Sequence, residues 1–416
     1  MKQFVSFVVA VLVCLVIQAQ ENSSAVSQDS VIAVQDSLVL ELADSAVVYV
    51  PRVSLLTCSP ASEVWQQYGH TAIRFVDAER DVDVVFNYGL FDFAAPHFIW
   101  RFCLGKTDYI VGAETYDSFR REYVERGSSI TEQQLNLLPE ETVNFWNLIT
   151  TNCRPENRTY RYDFFYNNCS TKARDILYQS LDSDVSIART DSVSLRSILH
   201  RHNAAYPWAS FGIDLLLGVK ADHPVPHDVQ EFAPLSLEES FAKATRNDGE
   251  PFVTGTTVVQ PLSSMQGGGR FPLTPVQMMI IVLLITAIVC TFELLSSTRQ
   301  WWYDVVLYSI QGVAGVIVTF LFLFSTHPTV DSNILVVVLN PLAFVLLLFL
   351  LRQSRRRTIP WAAMAEVGLI VVLAVVWLFI RQEIPTAAWV FICALLLRSA
   401  HHIIKGIKGS KRLKRQ

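Results

Sequence analysis

Two hydrophobic rhythms divide the chain. From Phe271 onward, apolar runs at about 275–296, 305–325, 333–351, 361–380 and 386–404 follow one another. Each is close to the ~20 residues that a helix needs to cross a bilayer. Before them the pattern is short and alternating. RVSLLTC reads as a strand and SPASEVWQQYG as a loop with a short helix. HTAIRFV and DVVFNYGLF read as two strands joined by a charged turn from Asp77 to Asp83, with Ile73 and Phe75 on one face and Ala72 and Arg74 on the other. Pro139-Glu140-Glu141 opens a helix through Asn144, Trp146 and Ile149, because proline fits the first turn and acids suit the positive end of the helix dipole. In YDFFYNNCSTKARDIL an aromatic, strand-like run (Phe164 to Tyr166) ends at Asn167-Asn168. Ala173, Ile176, Leu177 and Leu181 then recur at helical spacing, which makes Asn168 an N-cap and puts Cys169 in the first helical turn. The stretch from Tyr206 to Phe241 mixes turns with apolar patches and predicts no definite order, and the Gly-, Thr- and Ser-rich stretch from Arg246 to Arg270 reads as a linker.

The opening MKQFVSFVVAVLVCLVIQAQ has a positive start, an apolar run and a small residue at Ala19, the pattern of a secretory signal peptide. The expected organisation is a signal peptide at 1–19, a leader at 20–50, a soluble domain at 51–245, a linker at 246–272, membrane helices at 273–404 and a basic tail at 405–416. Charge sharpens this division. Residues 1–270 carry 21 Lys and Arg against 33 Asp and Glu, whereas 271–416 carry 13 against 5. An acidic domain joined to a basic, apolar one suits a membrane-anchored extracytoplasmic protein and excludes a nucleic-acid binder. With the N-terminal domain outside, the inner segments hold twelve basic residues (Arg299, Arg352, Arg355 to Arg357 and the tail from Arg398 to Arg415) and the outer loops hold only Arg381. That asymmetry places the C-terminus in the cytoplasm.

The candidate chemistry centres on Cys169. At a helix N-terminus the free N–H groups and the dipole favour a thiolate, and backbone donors already point at a nearby oxyanion. The alternative is a small, buried apolar residue. His70, at the start of the HTAIRF strand, supplies a candidate base. Cys58, Cys103 and Cys153 lack that context; an oxidising compartment allows one disulfide among them, but no spacing selects a pair. His223 and His227 are separated by Pro224 and Pro226 and cannot share a helix face, and His200 and His202 have no supporting ligands nearby, so no metal or other cofactor is expected. Glu293 and Glu366 fall near the inner ends of their helices, where snorkelling or pairing makes them tolerable, and Asn340-Pro341 predicts a kink.

The order GHTAIRF, FNYGLFDF, YDFFYNNCSTKARDIL resembles circularly permuted papain-like folds, in which the His strand precedes the Asn-Cys helix, as in lecithin:retinol acyltransferase-like enzymes and NlpC-type peptidases. Together with NAAYPWASFGIDLLLG and the terminal block of apolar runs, it resembles the Bacteroides-type lipoprotein N-acyltransferase (Lnb) family from about Ser54 onward. The resemblance implies an α+β papain-like domain followed by an all-α bundle of about five membrane helices, in the inner membrane with its catalytic domain in the periplasm. It also implies an acyltransferase without a cofactor. Cys169 would take an acyl chain from a membrane phospholipid as a thioester and pass it to the α-amine of a diacylglyceryl-cysteine lipoprotein, with His70 as base. Asn87 fits the place of the residue that orients His70, with Asp92 as the alternative. Two other readings stay open: a thiol hydrolase of the same fold (a lipid esterase or cell-wall peptidase) and a non-catalytic, membrane-anchored binding module.

Overall fold

A computed structural model describes residues 51–413 apart from 62–65, 93, 183, 188–192, 263–270, 297 and 357–358. The expected signal peptide and leader lie outside the described residues. The chain divides into two compact units, Met1–Ser192 with Val225–Gly269, and Val193–Pro224 with Arg270–Gln416.

The first unit is built on a seven-stranded antiparallel sheet. Its strands are β1 (Arg52–Cys58), β2 (His70–Asp77), β3 (Val82–Leu90), β4 (Asp108–Thr115), β5 (Ile130–Leu135), β6 (Thr159–Arg161) and, after the two-residue strands β7 (Val185–Ser186) and β8 (Thr245–Arg246), β9 (Val253–Gln260). The spatial order is β6-β4-β3-β2-β1-β5-β9, while β7 and β8 pair separately. Both faces are covered, as the alternation in the sequence requires. Val53, Leu55, Ile73, Phe75, Val84 and Phe86 face one core with α3 (Pro139–Cys153), α4 (Cys169–Ser180) and α8 (Pro234–Lys243). Leu56, Cys58, Ala72 and Val85 face the other, against Phe119 and Tyr123 of α2 (Tyr116–Arg126). A short helix α1 (Phe98–Cys103) links β3 to β4, and α7 (His227–Gln230) precedes α8. The expected α3 opens with Pro139 in its first turn, and Glu141 accepts the Leu138 N–H at 2.8 Å.

Three expectations need correction. Phe164 to Tyr166 are a turn, not a strand, because Asp163 Oδ1 accepts the N–H groups of Phe165 and Tyr166 at 2.9 and 3.0 Å and bends the backbone. Much of the expected linker at 246–272 is structured. Arg246 is buried and forks onto Glu141 at 2.8 and 2.9 Å, and β9 is the sheet's edge strand, paired along β5. The soluble segment 51–245 is also not one body, since Val193–Pro224 belongs to the second unit.

That second unit contains α5 (Leu195–Asn203), α6 (Pro207–Leu216), a 3-10 turn (Val219–Asp222) and the apolar helices. Phe211, Leu215 and Leu216 of α6 pack against the apolar helices' core, which explains why this segment leaves the sheet unit. Hydrogen bonds fasten it there: Gly218 N–H to Thr329 O (2.7 Å), Asn333 Nδ2 to Leu215 O (2.8 Å) and Gln382 Nε2 to Leu217 O (3.2 Å). Among the described residues, five spans are long and apolar enough to cross a membrane: α9 (Pro275–Ser296), α10 (Trp301–Phe324), the span Ile334–Gln353, α12 (Trp361–Ile380) and Thr386–Ile407 within α13 (Thr386–Leu413). The third is broken, not merely kinked. A 3-10 turn (Ile334–Val337) gives way at Asn340-Pro341 to α11 (Leu342–Arg356), and Asn340 caps both pieces, accepting from Leu342 N–H and donating to Val337 O. The expected basic tail continues α13 as helix to Leu413.

Candidate active site

Sequence puts a cysteine at a helix start and a histidine at a strand start, and the sheet unit brings the two together. Asn168 caps α4 through its side-chain oxygen, which accepts from Ser170 N–H (2.9 Å) and Thr171 N–H (3.0 Å), while Thr171 Oγ1 accepts the Asn168 N–H (2.8 Å). The Asn168 amide nitrogen donates to Phe164 O and Phe232 O, both at 2.8 Å, so the cap is anchored on two loops. Cys169 is therefore the first residue of a firmly held helix. One residue on, Ser170 Oγ meets Thr71 Oγ1 of β2 at 2.9 Å, which ties the helix start to the strand start beside His70.

His70 contacts the Cys169 thiol through one ring nitrogen. Through Nε2 it bonds Asn87 Oδ1 at 2.6 Å. With the Nε2 proton given to Asn87, Nδ1 is the nitrogen that serves the thiol. The Asn87 amide nitrogen reaches Glu114 Oε1 at 3.5 Å, which orients the amide with its oxygen toward His70. Asp92, the alternative orienter, instead accepts the Ala94 N–H at 2.7 Å. The ring of Tyr123 stacks over His70 with centroids 6.4 Å apart.

Electrostatics separates this thiol from the others. Burial opposes ionisation of Cys169, but the charge and hydrogen bond of His70, with help from the Thr71 backbone and the Ser170 hydroxyl, hold the thiol below its ordinary value. His70 is the mirror case: burial lowers it, and the thiolate, with the Cys169 and Asn87 hydrogen bonds, outweighs burial and raises it. Each group thus favours the charged form of the other. Burial pushes Cys58 and Cys103 up, and Cys153 up to about 12. All three are free thiols, so none of the disulfides that the compartment allows is present among them.

Sequence reasoning passed over the walls of the site. Gly89 sits at a bulge in β3 with φ +95°, and a Cβ there would stand 3.5 Å from Cys169 Cβ and 3.7 Å from His70 Cε1. The Asn-Tyr-Gly run could have flagged it, because glycine in a strand marks a bulge or a close backbone approach. Tyr109, Tyr160 and Tyr162 lie close enough for the Cys169 charge to raise their phenols, beyond what burial does. Tyr109 and Tyr162 stack at 4.1 Å, and Phe91, Phe98 and Phe102 extend this aromatic wall. His200 and His227, weighed as metal ligands, are engaged by Asp214 and by the Ser240 hydroxyl. Among the described residues no three His, Cys, Asp or Glu side chains converge as a metal centre requires.

The family comparisons agree with this layout. A model of the Lnb N-terminal periplasmic domain matches residues 46–201, and a model of the Lnb transmembrane domain matches residues 267–410. No curated protein and no solved structure matches the chain. A sheet-rich domain bearing a His strand before an Asn-Cys helix, followed by five apolar helices, thus carries both family domains in order, and the chain belongs to the Lnb family.

Proposed function

We propose that the protein is a lipoprotein N-acyltransferase that works by a ping-pong thioester mechanism at Cys169. Membership of the Lnb family carries the coarser statement, a membrane protein with a lipoprotein N-acyltransferase-like role. The observation that supports the finer one is the pairing of a lowered Cys169 thiol with a raised His70 at a helix N-terminus.

In the first half-reaction Cys169 Sγ attacks an ester carbonyl of a membrane phospholipid. The C–S bond forms, the carbonyl electrons move to oxygen, and on collapse the C–O bond breaks. His70 gives its proton to the departing lysophospholipid oxygen. In the second, the neutral α-amine of a diacylglyceryl-cysteine attacks the thioester. His70 takes the amine proton, the C–N bond forms and the C–S bond breaks, so the thiolate–imidazolium pair returns. Asn87 keeps the histidine ring in the tautomer that serves both steps. The Cys169 N–H, at the helix start, serves as an oxyanion donor. In this reading the site faces the periplasm, the five helices lie in the inner membrane and the C-terminus is cytoplasmic, so both lipid substrates share the protein's own bilayer.

Intact mass spectrometry tests the reading. Full-length protein mixed with phospholipid should gain one acyl chain on Cys169, and adding a diacylated lipopeptide should discharge it as that peptide gains one N-acyl chain. Cys169→Ala should show neither event. Discharge at the same rate with and without lipopeptide would mean that water is the acceptor and the protein is a hydrolase. Identical behaviour of wild type and Cys169→Ala would leave the binding module.

A further inference from the structure

Both half-reactions pass through a tetrahedral carbon whose oxygen carries a full negative charge, and such an oxygen is best held by two donors already in place. The first is the Cys169 N–H, for which no acceptor appears among the described residues. The second has no assignment from the helix itself.

Tyr160 stands where a second donor is needed. It lies on β6 opposite Tyr109 of β4, in the aromatic wall beside the thiol. Its hydroxyl is buried, and among the described residues its proton meets no acceptor, an unusual condition for a phenol, because a buried donor left unmet destabilises the fold. The backbone N–H of Gly89 is directed at the phenol oxygen, which leaves the phenol proton uncommitted. Gly89 is also the residue whose absent Cβ leaves room beside Cys169 Cβ and His70 Cε1, so Tyr160 and Cys169 share it as a neighbour. The Lys172 ammonium, on the first turn of α4, lies 5.4 Å from the centre of the Tyr160 ring and adds positive potential on that side. Burial, and after it the Cys169 charge, hold the phenol in its protonated form, the form that can donate.

We propose that Tyr160 is the second oxyanion donor of the Cys169 site, its hydroxyl hydrogen bonding the ester oxygen as that oxygen becomes negative. The role rests on the thioester reading above. It transfers no proton and serves both half-reactions, since acyl-enzyme formation and aminolysis pass through equivalent oxyanions. The unpartnered hydroxyl is then explained: its partner exists only during the reaction.

The test compares two tyrosines. Tyr178, on the same α4, also buries a hydroxyl without a partner, but it packs against Phe241 with centroids 5.7 Å apart, nine residues along the helix from Cys169. Full-length wild type, Tyr160→Phe and Tyr178→Phe would be mixed with dioleoyl phosphatidylethanolamine in detergent micelles, and acyl-enzyme formation followed by quenched intact-mass measurement alongside thermal melting. Tyr160→Phe should acylate about 10²–10³-fold more slowly, with an unchanged half-saturating lipid concentration and a Tm no lower than wild type. Tyr178→Phe should acylate at the wild-type rate. A Tyr160→Phe protein that acylates as fast as wild type overturns the proposal, as does one whose slowing is matched by a fall in Tm. A wild-type protein that forms no adduct removes the thioester reading itself, a result distinct from wild-type speed in Tyr160→Phe.

Discussion

Two regions of this molecule bring a cysteine, histidine and charged groups together, and the proposed mechanism uses only one of them. Within the apolar helices, Arg398 is wholly buried and bonds Asp304 Oδ1 at 2.6 Å and Glu293 Oε1 at 2.8 Å. His401 bonds Glu293 and His402 bonds Asp304, both at 2.9 Å, while Arg299 and Lys405 add further contacts to the same two carboxylates. Cys290 receives an Arg398 N–H at 3.7 Å. There each histidine faces a carboxylate, and the charges lock α9, α10 and α13 together. At Cys169 the histidine faces the thiol, an amide stands where an acid would otherwise be, and among the described residues the Cys169 N–H and the Tyr160 O–H meet no acceptor. Residue type is shared between the clusters. What separates them is which bonds are left unmade, because a group already satisfied in the ground state has nothing further to offer a transition state.

The contrast can be broken from either side. The largest effect is expected from His70→Ala, which removes the base and should slow acyl-enzyme formation by about 10²–10⁴-fold with little change in thermal melting; a rate near wild type would show that the imidazole is not the proton carrier. Arg398→Met should do the reverse. It leaves two buried carboxylates without their shared cation and should destabilise the helical unit by about 3–5 kcal/mol, read by detergent or thermal unfolding, while folded protein still acylates. If Arg398→Met abolished acylation in folded protein, the helical cluster would be more than a lock.

Asn87→Ala comes next. Losing a hydrogen bond to a charged imidazolium is worth about 1.5–3 kcal/mol, or about ten- to a hundredfold in rate, and the shape of the pH profile should change as well. In the thiolate–imidazolium form that the proposed mechanism uses, the acid limb would reflect protonation of Cys169, which is lowered from 9.0, and the alkaline limb loss of the His70 proton, which is raised from 6.5. Activity should hold between those limbs. Because the Asn87 bond helps to raise His70, its loss should move the alkaline limb to lower pH. An unmoved limb would mean that Asn87 only fills space. The smallest effect is expected from Asn168→Ala, about 0.5–2 kcal/mol for a lost N-cap, measured by denaturant unfolding of the sheet unit.

The sequence disclosed those features that depend on near neighbours. Asn168 as a cap, Cys169 at N1, Pro139 opening α3 and the five apolar spans each follow from a few adjacent residues or from run length. What escaped depends on distant partners. Val253–Gln260 looked like a linker because an edge strand held by backbone bonds to β5 and largely exposed carries no apolar stripe, although its Val and Thr residues favour extended chain. The segment around α6 could not be ordered because its fastenings, Thr329, Asn333 and Gln382, come more than a hundred residues later. Tyr160 gave no signal, since a tyrosine in a short strand looks like ordinary core until its buried hydroxyl proton is found to meet no acceptor among the described residues.

The chain passes from one unit to the other three times, at 192–193, at 224–225 and at 269–270. A single cut at 269–270 would therefore release the sheet still carrying the Val193–Pro224 segment of the other unit. During synthesis, the edge strand that finishes the sheet leaves the ribosome after the Val193–Pro224 segment but before its membrane-helix partners exist. Maturation of the two units is thus interleaved in time: the sheet can close first, while the inserted segment must wait for helices not yet made.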